Sequence, residues 1–179
     1  MSTQPISLTI VPEKCTACMA CELACSFTKE EVFSPSLSRI RVARVFEVGV
    51  NVPVACINCA DAPCMDACPT GAIVRDGPLG IVRVDGDVCS GCGDCVEVCP
   101  YGAVYIPEGE FTAFMCDLCG GDPACVPNCI YGALTYTRQP DSLFSALEIT
   151  AQTEAGEGRR LAVASQIARQ IRDRWEVQV

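Results

Sequence analysis

Residues 89–100 read Cys89-Ser-Gly-Cys92-Gly-Asp-Cys95-Val-Glu-Val-Cys99-Pro100, four cysteines separated by two, two and three residues. The arithmetic recurs along the chain. Cys15, Cys18, Cys21 and Cys25 repeat the two, two, three spacing. Cys56, Cys59, Cys64 and Cys68 follow two, four and three, and Cys116, Cys119, Cys125 and Cys129 follow two, five and three. Stretches of 30, 20 and 16 residues separate the four groups, so the chain is an internal repeat. The repeat extends past the sulfurs. Cys68-Pro-Thr-Gly-Ala-Ile, Cys99-Pro-Tyr-Gly-Ala-Val and Cys129-Ile-Tyr-Gly-Ala-Leu set Gly71, Gly102 and Gly132 at equivalent places. A glycine there suits a positive φ or a close backbone approach, and the apolar residue after Gly-Ala is expected to open a short strand. The first group lacks this ending, since Cys25 runs into Ser-Phe-Thr-Lys.

The chain has 179 residues, 16 of them Cys and none His. Without His there is no Cys/His zinc finger, no His-ligated haem, no Rieske centre and no His general base. Six Phe, four Tyr and one Trp make a modest organic core, so bound metal is expected to supply much of the folding energy. A disulfide framework would require an oxidising compartment. Met1 to Lys14 has neither a basic start nor an apolar run, and no apolar stretch approaches the roughly 18 residues of a membrane span. The expectation is a soluble, cytoplasmic protein whose thiols stay reduced until metal takes them. A formal charge of −9 makes nucleic acid and anionic membranes poor partners.

A cubane iron–sulfur cluster needs four thiolates around one compact object. Three cysteines at two-residue spacing wrap it within a single loop, and the fourth comes from elsewhere, as in the run C-x₂-C-x₂-C-x₃-C-P. Zinc ribbons instead use two separated C-x₂-C knuckles with no third Cys in the loop. Groups two and three both end in Cys-Pro and lie 20 residues apart, which suits a contiguous unit; groups one and four then pair across it. This nesting assigns four sites: Cys15, Cys18, Cys21 with Cys129; Cys56, Cys59, Cys64 with Cys99; Cys68 with Cys89, Cys92, Cys95; and Cys25 with Cys116, Cys119, Cys125. Sequential pairing, group one with two and three with four, is the rival. Catalysis by the chain itself is not expected. There is no Gly-rich nucleotide fingerprint and no P-loop, and the glycines of Asp76-Gly-Pro-Leu-Gly80 read as a turn. The four quartets leave no cysteine over as a nucleophile. Asp94 and Asp117 read as solvated loop residues, and Tyr101 and Tyr131 as packing.

Between groups one and two, Arg39 to Val45 alternates polar and apolar residues as a half-exposed strand does, and Ile81 to Val84 is a second short strand between turns. After residue 138 the composition changes. Asp141 can cap a short helix carrying Leu143, Phe144 and Leu147, and Thr150 to Gly158 reads as a linker, so residues 139–158 form a connecting segment. From Arg159 onward, Leu161, Ala164, Ala168, Ile171 and Trp175 lie on one helical stripe. Residues 1–158 carry a charge of −12 and residues 159–179 carry +3. The tail is thus a basic amphipathic helix that packs on its own body, on a partner or on another copy.

The motifs resemble the four-cluster electron-transfer subunits of molybdenum and tungsten oxidoreductases, of the dimethyl-sulfoxide-reductase iron–sulfur subunit type. The likeness rests on Cys56-Ile-Asn-Cys-Ala-Asp-Ala-Pro-Cys-Met-Asp-Ala-Cys-Pro-Thr-Gly-Ala-Ile, on residues 89–100 and on Cys116-Asp-Leu-Cys-Gly-Gly-Asp-Pro-Ala-Cys, and runs from about Ile10 to Tyr136. It implies an α+β fold within residues 1–138, made of two ferredoxin-like dicluster halves with pseudo-twofold symmetry. The inner half is residues 56–104, and the outer half joins residues 10–30 to 111–138. It also implies four [4Fe-4S] clusters held by the nested quartets. A short version without an anchor is most similar to the polyferredoxin of bacterial tungsten aldehyde oxidoreductases. That likeness implies a tungsten- or molybdenum-pterin catalytic partner and a flavin or other redox subunit. Ile130 departs from the pattern, where Pro is usual. The alternatives are a free soluble polyferredoxin and an oligomerising scaffold built through the C-terminal helix.

Overall fold

The computed structural model describes residues 7–77, 79–137 and 155–176. The strands have only three to five residues, because the cysteine loops between them take up much of the chain. Among the described residues, three antiparallel pairs make up the sheet structure: β1 (Ser7–Ile10) with β6 (Leu134–Thr137), β2 (Arg41–Val45) with β3 (Val50–Val54), and β4 (Ile73–Arg75) with β5 (Val82–Val84). Four α-helices among the same residues complete an α+β arrangement: α1 (Ala20–Glu30), α2 (Pro63–Asp66), α3 (Asp94–Val98) and α4 (Glu157–Glu176).

The first pair ties the two ends of the cysteine region together, with Ser7 opposite Thr137 and Ile10 opposite Leu134. The second is a hairpin whose turn needs a left-handed residue, supplied by Gly49 at φ +69°. Val50, Val52 and Val54 are buried, and so is Pro53 between them, so this strand is covered on both faces toward its end. Two of the residues following Gly-Ala open strands, Ile73 and Leu134. Val104 does not. Its neighbour Tyr105 makes only a single bridge to Phe114, and Arg39 and Arg41 stack their guanidinium groups over those two rings.

Helix α4 lies on the β2–β3 hairpin, burying Arg160, Val163, Ala164, Ile167, Ala168 and Ile171. The tail helix therefore packs on its own chain. The stripe differs from the one expected. Leu161 is 50% and Trp175 41% exposed, while Val163 and Ile167 are at 1%. The cause is the anchoring of the first turn. Arg160 Nε donates to Gly102 O at 3.0 Å and Arg159 donates to Cys99 O at 2.9 Å, and these bonds hold the helix in its rotation. The helix also begins two residues earlier than Arg159. The short helix expected around Asp141, Leu143, Phe144 and Leu147 lies outside the described residues.

Candidate cluster sites

Each of the first three cysteine groups begins as an irregular loop and runs into a helix. Met19, Ala62 and Gly93 take left-handed conformations at φ 66°, 33° and 88°, and each turns the chain into a helix whose second residue is the third cysteine: Cys21, Cys64 or Cys95. Cys25 lies one helical turn beyond Cys21 on α1. At the ends of groups two, three and four, Gly71, Gly102 and Gly132 donate their N–H to the carbonyls of Cys68, Cys99 and Cys129, closing the same turn three times.

The fourth thiols cross between groups. Cys99 lines one cavity with Cys56, Cys59 and Cys64, Cys129 lines a second with Cys15, Cys18 and Cys21, and Cys68 lines a third with Cys89, Cys92 and Cys95. Loops of different length thus bring three thiols of one group and one of another to each of three cavities. For the remaining group, burial pushes Cys116 up to about 12 and lifts Cys119 and Cys125, and the charge of Cys25 adds to all three.

Neighbouring quartets also feel one another. Burial pushes Cys95 up to about 12, with Cys64 the leading charged contributor. Burial raises Cys56 well above its ordinary value, and Cys116 adds to this. Cys125 is raised by burial and by Cys116, Cys25 and Cys21 in turn. These charge effects link the quartet of Cys92 with that of Cys59, that of Cys59 with that of Cys119, and that of Cys119 with that of Cys18. Cys18 and Cys92 are the two exposed thiols.

The donor set fits an iron–sulfur cluster. All sixteen cysteines are free thiols, and among the described residues no trio of His, Cys, Asp or Glu stands close enough to hold a single metal ion. A cubane spreads its four thiolates around an inorganic core and needs no such close trio. Backbone donors point at the sulfurs. The N–H of Arg39 reaches Cys25 Sγ at 3.3 Å and that of Ala103 reaches Cys99 Sγ at 3.4 Å. Ala17, Asn58 and Leu118 supply backbone hydrogen bonds to Cys15, Cys56 and Cys116. Sequence reasoning missed these donors because they come from backbone conformation. Of the positions that follow the first cysteine by two residues, only Gly91 signals its positive φ by residue type. Asp117 has a structural part: its carboxylate accepts the Cys119 N–H at 3.1 Å and pairs with Lys29.

Comparison with known proteins places two family matches on these loops. Residues 48–139 match the 4Fe-4S dicluster domain and residues 12–28 a 4Fe-4S binding domain. The polyferredoxin-like subunit of an aliphatic sulfonate oxidoreductase from Pyrococcus furiosus is 45% identical over 63% of this chain and 65% of its own length. The electron transport protein HydN of Escherichia coli strain K12 is 38% identical over 52% of this chain and 55% of its own. Protein NrfC of the same strain is 37% identical over 58% and 48%. The chain thus spans about half to two thirds of these relatives' lengths. Among solved structures, the active site complex BamBC of benzoyl coenzyme A reductase with zinc aligns at 26% identity with a TM-score of 0.44, covering 74% of this chain and 77% of that one. No helix among the described residues is long and apolar enough to cross a membrane.

Proposed function

The chain belongs to the 4Fe-4S dicluster domain family, and from that premise we propose that it is an electron-transfer subunit with four [4Fe-4S] clusters on the nested quartets. In this reading it wires a molybdenum- or tungsten-pterin catalytic subunit to a flavin subunit or another redox partner. The observation that supports the reading is three cavities, each lined by three cysteines of one group and a fourth from another.

When bound, the clusters supply the one-electron sites. The protein does the rest. Crossing cysteines Cys25, Cys68, Cys99 and Cys129 tie each site to a second loop and fix the spacing of neighbours. Burial of Cys56 and Cys116 keeps water from the middle of the row. Backbone donors at Cys15, Cys25, Cys56, Cys99 and Cys116 stabilise negative charge on sulfur and so set potentials within the roughly −700 to +450 mV open to such clusters. Substrate chemistry falls to the partner. The roles of the relatives, polyferredoxin-like subunit and electron transport protein, support this division of labour.

The test is isolation of the native protein with whatever accompanies it, followed by assay of iron, tungsten, molybdenum and flavin. Co-isolation of a pterin metal and flavin is the expected result. A chain that runs alone, exchanges electrons with several enzymes and brings neither would turn the reading toward a free polyferredoxin. The scaffold alternative loses ground to the fold, because α4 spends its apolar face on its own hairpin.

A further inference from the structure

The residue two places after the first cysteine of each group is Ala17, Asn58, Gly91 or Leu118, and all four are left-handed, at φ 55°, 54°, 68° and 52°. One turn is therefore built four times with different side chains. Asn58 and Leu118 are both fully buried, at 1% and 0% exposure, and have nearly the same shape. The second and fourth groups differ here by an amide in place of a hydrocarbon.

The orientation of that amide is fixed. The Val82 N–H can only donate, and it lies 2.8 Å from Asn58 Oδ1, so the oxygen faces β5. Nδ2 is then left as the one buried side-chain polar atom among the described residues without a hydrogen-bond partner. An orphaned donor of this kind is costly and calls for an acceptor. Asn58 sits in the loop between Cys56 and Cys59, two ligands of the proposed cluster. Sulfur of a bound cluster is an acceptor, and one that gains negative charge on reduction.

We propose that Asn58 Nδ2 donates a hydrogen bond to sulfur of the cluster held by Cys56, Cys59, Cys64 and Cys99, and so holds it at a higher potential than its counterpart beside Leu118. The inference rests on the ligand sets given under Proposed function. Reduction places negative charge nearer the donor, so the bond strengthens in the reduced form and favours it. The same turn without an amide, at Leu118, lacks this contribution.

The experiment is a redox titration of the full-length, iron-loaded protein followed by EPR. Iron content is measured first: a deficit in the unmodified protein would count against the ligand sets and not against the amide. In Asn58→Leu one of the one-electron steps is expected to move to lower potential. A tenfold change in its equilibrium constant corresponds to about 59 mV. The other steps stay in place. No movement, or an equal movement of every step, overturns the proposal. Pulsed EPR of the reduced, unmodified protein with ¹⁵N in the asparagine side-chain amides covers the case in which Asn58→Leu fails to load iron. Asn51 and Asn128 already donate to Cys15 O at 3.1 Å and Ala124 O at 2.8 Å. A ¹⁵N coupling to a cluster is expected from Asn58, and its absence refutes the bond.

Discussion

A methyl group at residue 102 has no room. Built on the Gly102 backbone, it would lie 2.3 Å from Gly156 O and 2.6 Å from Arg160 N, and both obstacles are backbone atoms of the first turn of α4. Gly71 holds the equivalent place in the second group at a similar left-handed φ, and a methyl there meets nothing within 4 Å. Gly71→Ala therefore costs only the left-handed strain of an L-residue, about 1–2 kcal/mol. Gly102→Ala adds loss of the charged hydrogen bond from Arg160 Nε, about 1.5–3 kcal/mol, for about 2.5–5 kcal/mol in all. The start of α4 must also lift from the body. Guanidinium unfolding of the loaded proteins gives the two costs, and hydrogen exchange along α4 shows whether the helix has lifted. Equal destabilisation by the two substitutions, or unchanged protection of α4 in Gly102→Ala, would refute the close-approach argument.

Replacing Cys99 by Ser is expected to damage the cluster of Cys56, Cys59 and Cys64; spectroscopic loss of the cluster of Cys116 instead would favour sequential pairing. Ile167→Ala, at 1% exposure beneath α4, should cost about 2–5 kcal/mol in the same unfolding assay, and a cost near zero would mean that the helix does not dock. Ending the chain after Gly158 should lower stability while leaving the assembly size by light scattering unchanged, and a fall in assembly size would revive the scaffold reading. In the metal-free sites burial holds the Cys21, Cys95 and Cys116 thiols protonated up to about 12, so uptake of a cluster must expel those protons. Loading at fixed iron and sulfide should then strengthen as pH rises from about 6 to about 9, and a flat profile would contradict it.

The cysteine arithmetic carried most of the site because ligand spacing is a covalent property, written directly in residue number. It left open which groups share a cluster, since loops of 16 to 30 residues permit either pairing until they fold. The alternation at Arg39 to Val45 located β2, but β1 and β3 went unread. β3 carries Pro53, a residue that argues against a strand, and the four-residue β1 is completed only by β6, more than a hundred residues away in sequence. The tail helix was legible as a helix and misread in rotation. Periodicity ranks apolar residues alone, whereas the buried face includes Arg160, whose charge is accommodated by the carbonyl of Gly102. The glycine repeat concealed a further distinction. Gly71 and Gly132 serve a turn, while Gly102 serves both a turn and the seat of α4.

The central claim is four clusters on sixteen cysteines, and it is tested most directly by iron and acid-labile sulfide per chain in protein isolated without exposure to air. The account predicts about sixteen of each, together with the EPR of interacting clusters on reduction. About eight of each, unchanged by full reconstitution, would leave two quartets empty and contradict the row of four.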